Sequence, residues 1–355
     1  MRKLRATLIA TLLVVSLCGI AVTPATASHD GGTDCSFPVS VTDGTGSEVT
    51  LNESAETVVA ADAASAQTFW EIGAADRVVG MPVRDYTQYL NGSQNRTDVI
   101  SDDGMGLDVE TIIELDADLV VVPNYASDET VQQLRDADQT VYRSPFESSF
   151  EDIYAKTELY GHFVGDCEAG ATTAQETREE VETIRNATAD RDSPDVLYYF
   201  FGTAAGNGTF IDDIVETAGG NNVAAEAGIE QYGEISDEVI LEQDPEWIVT
   251  TDEDGAFDAE AEPFPSTSAV ENDQVLRVDA NLVSQAAPRV VEPLRTMAET
   301  FHPEAFAEQN ATATPDETGK STPGGDDGSD GDGAGFGVGV AAAALAAAAL
   351  LARRQ

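Results

Sequence analysis

Between Cys35 and Gln309, short apolar runs alternate with segments whose apolar residues recur at helical spacing. Val58-Val59-Ala60-Ala61 reads as a buried strand, and Ser65 to Ile72 as a helix with Ser65 as its cap. Val78-Val79-Gly80 predicts a second strand, Val109 to Leu115 a helix, and Leu119 to Val122 a third strand. Glu129 to Asp136 then reads as a helix and Thr140-Val141-Tyr142 as a strand. Strands separated by helices build βαβ units on a mostly parallel sheet. From Phe150 to Asn186, Ile153, Leu159, Phe163, Val181 and Ile184 stand among many charges, which predicts one long helix interrupted near Gly165-Asp166-Cys167. The alternation resumes at Val196 to Phe201 and closes with a helix from Pro288 to Phe301.

The pattern also repeats. Val109-Glu110-Thr111-Ile112-Ile113-Glu114-Leu115-Asp116-Ala117-Asp118 matches Asp237-Glu238-Val239-Ile240-Leu241-Glu242-Gln243-Asp244-Pro245-Glu246, 128 residues further on. Both read as a capped helix, a tight acidic turn and then a buried strand. A weaker echo pairs Glu71 to Val78 with Glu216 to Val223. Either two similar lobes are joined by the long helix, or two stretches share one helix-turn-strand grammar.

The ends differ from this middle. Arg2, Lys3 and Arg5 precede the apolar run Ala6 to Val22, and Ala25-Thr26-Ala27 offers small residues for cleavage, so residues 1–27 read as a secretion signal. Residues 28–148 form the first expected lobe, 149–192 the connecting helix and 193–309 the second lobe. An acidic Thr/Pro/Gly linker follows at 310–333, then a hydrophobic segment at 334–355 that ends in Arg353-Arg354-Gln355. This tail resembles the PGF-CTERM sorting signal of haloarchaeal surface proteins, with Ala334-Gly335-Phe336 in place of Pro-Gly-Phe. The resemblance implies removal and lipid attachment; a retained transmembrane anchor is the alternative. On either reading the protein is secreted and tethered to the outer face of the cell membrane. Six Asn-x-Ser/Thr sequons are possible glycosylation sites.

Charge narrows the function further. The chain has 65 acidic and 18 basic residues, a formal net charge of −47, and only three lysines, Lys3, Lys156 and Lys320. Nucleic acid and anionic membrane surfaces both need a basic footprint, so neither is expected as a partner. Such acidity suits concentrated salt, where the Debye length of about 3 Å at 1 M quenches self-repulsion. After signal removal only Cys35 and Cys167 remain, either as a disulfide or as two buried thiols. No phosphate-binding loop, dinucleotide fingerprint, zinc-protease or hydrolase-elbow motif occurs. Three histidines, His29, His162 and His302, do not make a His-rich metal site. The chain is therefore read as non-enzymatic, with neither a resident cofactor nor a metal.

Val58 to Gly80, Asp108 to Val122, Gly219 to Val223 and Ser284 to Pro303 together resemble the cobalamin/ferric-siderophore class of ABC-transporter substrate-binding proteins, over about Val58 to Ala305. The resemblance implies an α/β fold of two similar Rossmann-like lobes joined by one long helix, the class III architecture. It implies a monomer that captures a corrinoid such as cobalamin and delivers it to ABC permease subunits. A ferric-siderophore or haem binder of the same class and a non-transport surface glycoprotein are the alternatives. Family members dock through one acid per lobe, which by resemblance are Glu110 and Glu238; favourable placement early in a helix is the other reason for an acid there. Ala63 and Ser65, in the turn after the first strand, should face the cleft with Tyr86, Tyr125, Phe201 and Tyr232. Aromatic faces suit a flat ring. Arg289, like Arg84 and Arg143, either neutralises an anionic ligand or pairs with one of the many carboxylates. Asp102-Asp103-Gly104-Met105-Gly106 stands where enteric cobalamin binders carry a Trp.

Overall fold

The computed structural model of the chain describes residues 35–307 with the exception of 105. The expected signal (1–27), linker (310–333), terminal hydrophobic segment (334–355) and the Asn310 sequon lie outside the described residues. The other five sequon asparagines are exposed. Among the described residues no helix is long and apolar enough to cross a membrane.

Strands β1 (Val39–Thr42) and β2 (Glu48–Leu51) form an antiparallel hairpin, with Val39 opposite Leu51 and Val41 opposite Val49. Alternation leaves Val49 and Leu51 buried against the first lobe. Asp43 in the turn anchors the hairpin, pairing with Arg135 at 2.6 Å. Burial alone would raise its pKa, but hydrogen bonds from the Thr45 hydroxyl and from backbone N–H groups of Arg143, Thr45 and Ser47 hold it below the usual carboxylate range.

The first lobe then winds through β3 (Val58–Ala60), α1 (Ala63–Glu71), β4 (Val78–Met81), β5 (Thr97–Asp98), α2 (Val109–Leu115), β6 (Leu119–Val122), α3 (Asp128–Asp136) and β7 (Val141–Arg143). The sheet order is β5-β4-β3-β6-β7, and every pair is parallel. This is the doubly wound order, which reverses direction between β3 and β6. Ligand sites in such sheets lie beyond the strand ends at that reversal. Helix α1 starts two residues earlier than its sequence suggests. Extended Asp62, not Ser65, is its cap, and its carboxylate accepts the Ser65 N–H at 2.8 Å.

The connection is not one interrupted helix but a helical hairpin. Helix α4 (Phe150–Phe163) ends at Gly165, whose φ of +75° suits glycine, and Asp166 caps α5 (Cys167–Thr188) running back. Phe150, Ile153 and Tyr154 of α4, with Ala174, Val181 and Ile184 of α5, belong to the second lobe's core. Tyr160 and Phe163 belong to the first lobe's core. Both helices thus bridge the lobes, and bending them means breaking two cores. Their crossing is tight: a Cβ at Gly161 would lie 2.7 Å from the Gly170 Cα. Gly161→Val is expected to cost about 1–3 kcal/mol through overpacking, read as a lower denaturation midpoint. An unchanged midpoint would mean that the hairpin crossing is looser than drawn.

The second lobe follows as β8 (Asp195–Phe200), β9 (Thr203–Ala205), α6 (Phe210–Thr217), β10 (Asn221–Asn222), α7 (Val223–Glu226), β11 (Tyr232–Glu234), α8 (Asp237–Gln243), β12 (Trp247–Thr251), α9 (Ser268–Glu271), β13 (Val275–Val278), α10 (Ala280–Val283) and α11 (Val291–Phe301). Its order is β11-β9-β8-β12-β13, with β10 also on β8. The repeat is realised in detail. Helices α2 and α8 end on left-handed Asp116 (φ 46°) and Asp244 (φ 41°). Each leads to the strand in the same sheet position, β6 or β12. The second acid of each turn then staples the neighbouring strand: Asp118 accepts the Thr57 N–H at 2.8 Å, and Glu246 accepts the Asp195 N–H at 3.2 Å. The weaker echo also holds, shifted by one residue, since α1 and α6 end on positive-φ Gly73 and Gly219.

Candidate functional site

A cavity of about 210 Å³ opens between the lobes. Three first-lobe segments line it, each following a parallel strand: Asp62 to Ser65 after β3, Pro123 to Tyr125 after β6, and Ser144, Phe146 and Glu147 after β7. Lys156 of α4 completes that wall. The second lobe contributes Phe210 at the start of α6, Tyr232 of β11 and the segment Ser284 to Ala286. The reversal of strand order thus places the cavity where the topology requires it.

A second hollow of about 330 Å³ shares Pro123 and Tyr125 with the first. It is lined by Tyr86, Ile100, Leu107 and the glycines Gly104 and Gly106. Small residues there leave open space beside two tyrosines. Tyr86, Tyr125, Phe146 and Tyr232 are 41%, 79%, 47% and 42% exposed. The only other large apolar residues with comparable exposure among the described residues are Phe201 and Leu241. Four of six therefore gather at one cleft, and such clustering marks a binding surface.

The floor is polar. Lys156 is buried, forms an ion pair with Glu147 at 3.3 Å, and donates to the Ala286 carbonyl of the other lobe. Burial pushes the Glu147 carboxyl up, against the opposing pull of Lys156. Beside this, the buried Gln67 amide ties the lobes together. Its Nε2 donates to the Tyr89 hydroxyl at 2.8 Å and to Gln285 at 3.3 Å, while its Oε1 accepts the Arg289 N–H at 2.9 Å.

Of the residues expected at the cleft, Ala63, Ser65, Tyr125 and Tyr232 line the cavity and Tyr86 the adjoining hollow. Phe201 does not line either. It is the first residue of a two-residue hairpin turn with Gly202 (φ 45° and 85°), and its N–H is bonded to Ala256 at 2.8 Å. Arg289 also lies elsewhere, bonded to Glu292 at 2.8 Å and stacked on Tyr89 at 5.3 Å. Arg84 pairs with Asp98, and Arg143 with Asp128 at 2.7 Å. Asp62, Phe146, Glu147 and Lys156 are the additions. Lys156 alone carried a sequence signal, as the single lysine of the region between the termini.

Glu110 and Glu238 occupy the same place in α2 and α8, both exposed on the first turn. Cys35 and Cys167 are joined in a disulfide. His162 lies within reach of both sulfurs, but these are bonded to each other and not offered as ligands.

A family model described as periplasmic binding protein matches residues 58–282. A cobalamin-binding protein of Halobacterium salinarum is 38% identical over 312 residues, covering 82% of this chain and 84% of that protein. Among solved structures, an ABC-type Fe3+-hydroxamate transport protein from Saccharomonospora viridis has a TM-score of 0.63 and 26% identity, over 75% of this chain and 99% of the other. The vitamin B12-binding protein BtuF of Vibrio cholerae has a TM-score of 0.60 and 20% identity, over 71% of this chain and 98% of the other.

Proposed function

The chain belongs to the periplasmic binding protein family, and from that membership we propose that it captures a corrinoid such as cobalamin for an ABC importer and hands it to the permease. The family is a substrate-binding class that works outside the cytoplasm, so the corrinoid is cargo and not a resident cofactor. The observation that carries the ligand class is the composition of the cleft. Four exposed aromatic residues surround it, and Arg84, Arg143 and Arg289 are all committed to carboxylates away from the cavity. Aromatic faces bury a large flat ring at small entropic cost. An anionic siderophore or a haem propionate needs a free cation, and the lining offers only Lys156, already held by Glu147. The cobalamin-binding relative from Halobacterium salinarum supports the same choice.

In this reading the protein acts as a monomer. Glu110 and Glu238 meet basic residues of the permease, one per lobe, and the C-terminal segment or an attached lipid holds the domain at the outer face of the membrane. Calorimetric titration of the secreted domain in concentrated salt tests the ligand. Cobalamin is expected to bind and haem and an anionic ferric siderophore to fail. Tyr125→Ala or Tyr232→Ala is expected to lose about 2 kcal/mol, roughly thirtyfold in Kd. Binding of haem or siderophore without cobalamin would overturn the assignment.

A further inference from the structure

Behind the first-lobe wall of the cavity, four side chains form one hydrogen-bonded chain. Asp62 accepts from the Ser65 hydroxyl at 2.6 Å. The Ser65 oxygen lies 3.1 Å from the Tyr160 hydroxyl, which lies 3.0 Å from the Ser144 hydroxyl. Tyr160 is wholly buried, and Ser65 and Ser144 are 1% and 5% exposed. Each hydroxyl has a single proton, and a carboxylate only accepts. Ser65 therefore gives its proton to Asp62, Tyr160 gives its own to Ser65, and Ser144 gives its own to Tyr160. One carboxylate fixes the direction of the whole chain. Burial also holds the Tyr160 hydroxyl well above the usual tyrosine range.

The consequence appears at the cavity surface. Ser144 lines the cavity with its proton turned inward, which leaves lone pairs facing the ligand. Asp62 lines the same wall, as does Glu147 with its ion-pair partner Lys156. At the start of α1 the Asp62 carboxylate takes the Ser65 N–H at 2.8 Å, which sets a negative charge against the positive end of the helix. This stretch of wall therefore offers acceptors and negative charge.

We propose that the one-way relay Ser144–Tyr160–Ser65–Asp62 sets specificity, selecting a ring rimmed by carboxamides, which donate hydrogen bonds, over one rimmed by carboxylates. The inference rests on the corrinoid reading and deepens it, since the cobalamin periphery carries primary amides. A carboxylate placed there would meet the Ser144 lone pairs and the like charge of Asp62, with the one ammonium of the wall, Lys156, already held by Glu147.

The test compares cobalamin with its monocarboxylic acids, in which one side-chain amide is hydrolysed, by titration in concentrated salt. Wild type is expected to bind at least one acid ten or more times more weakly than cobalamin. Tyr160→Phe frees the Ser144 proton to turn toward the ligand, and the ratio is expected to fall to threefold or less. Ser144→Ala, which removes only the end of the relay, is expected to narrow the ratio by weakening cobalamin alone, and it serves should Tyr160→Phe fail to fold. Equal binding of acid and amide by wild type, or a tenfold ratio kept by the variants that fold, would overturn the relay while leaving the corrinoid reading intact. No binding of cobalamin by wild type would overturn both.

Discussion

Reversing Glu110 and Glu238 to arginine together is expected to abolish ligand uptake by cells while leaving ligand affinity of the isolated domain within about twofold. The reason lies in how charge acts in concentrated salt. At a Debye length of about 3 Å in 1 M salt, a net charge of −47 is invisible a few ångströms from the surface. It can neither steer the domain to a partner nor hold it there. Only charges in contact across a water-poor interface keep their strength, about 4 kcal/mol for a pair 4 Å apart at an effective dielectric of 20. Among dozens of exposed acids, docking then falls to the few that touch. Glu110 and Glu238 are the symmetric candidates, each early in the helix that precedes the strand directly beside the lobe's central β3 or β8. Reversal turns two attractions into two repulsions. Neither residue lines the cavity, so binding should be spared. Reversing Glu129 and Glu271, which are acids of other helices, is the control and should leave uptake near normal. Normal uptake by the Glu110/Glu238 double variant would remove these residues from the docking surface.

The symmetry behind that prediction is legible in the chain because both copies of the repeat keep the same spacing between cap, turn and strand. The turn chemistry enforces it: a left-handed Asp ends each helix, and the acid two residues later ties down a neighbouring strand. The parallel strands are legible for the same local reason, as short apolar runs between capped helices. Long-range features are not. Nothing local shows that α4 and α5 fold against each other, although Gly165-Asp166 is a stop followed by a cap and Gly161 and Gly170 allow close approach. Gln67 looks like one more polar helix residue until its amide is found fully buried between lobes, more than two hundred positions from its partner Gln285. Phe201 misleads because a strand end and a hairpin turn look alike in sequence; the following Gly202 was the clue. Arg289 misleads for a statistical reason, since in so acidic a chain a guanidinium finds a carboxylate almost anywhere it is placed. Tyr86 and Tyr125 are found more readily, because each follows the end of a first-lobe strand, β4 or β6.

Replacing both Cys35 and Cys167 by serine is expected to give the largest loss of stability of any change discussed for this protein. The bond closes a loop with a sequence separation of 132 residues. In the chain-entropy account, opening such a loop costs about 5 kcal/mol. For a domain of this size each kcal/mol moves the melting midpoint by about 2–4 °C, so calorimetry in matched salt should show a fall of roughly 10–20 °C. The loop also encloses the entire first sheet, β3 to β7, but none of the second. Loss of the bond should therefore loosen the first lobe preferentially, seen as faster amide exchange in Val58–Ala60 and Leu119–Val122 than in Trp247–Thr251. Ligand affinity should change little at temperatures where the variant is folded. Helix α1 begins at the cavity with Ala63 and ends at Glu71, whose carbonyl meets Thr173 of α5 at 3.4 Å, two turns past Cys167. Cavity and disulfide thus sit at opposite ends of that helix. Near the bond, His162 still holds the Ser36 carbonyl at 2.8 Å and packs edge-on against Phe37 at 5.5 Å, so the native path of the chain has partners other than sulfur. A midpoint lowered by less than about 3 °C would mean that these contacts, and not the covalent link, already confine the unfolded first lobe.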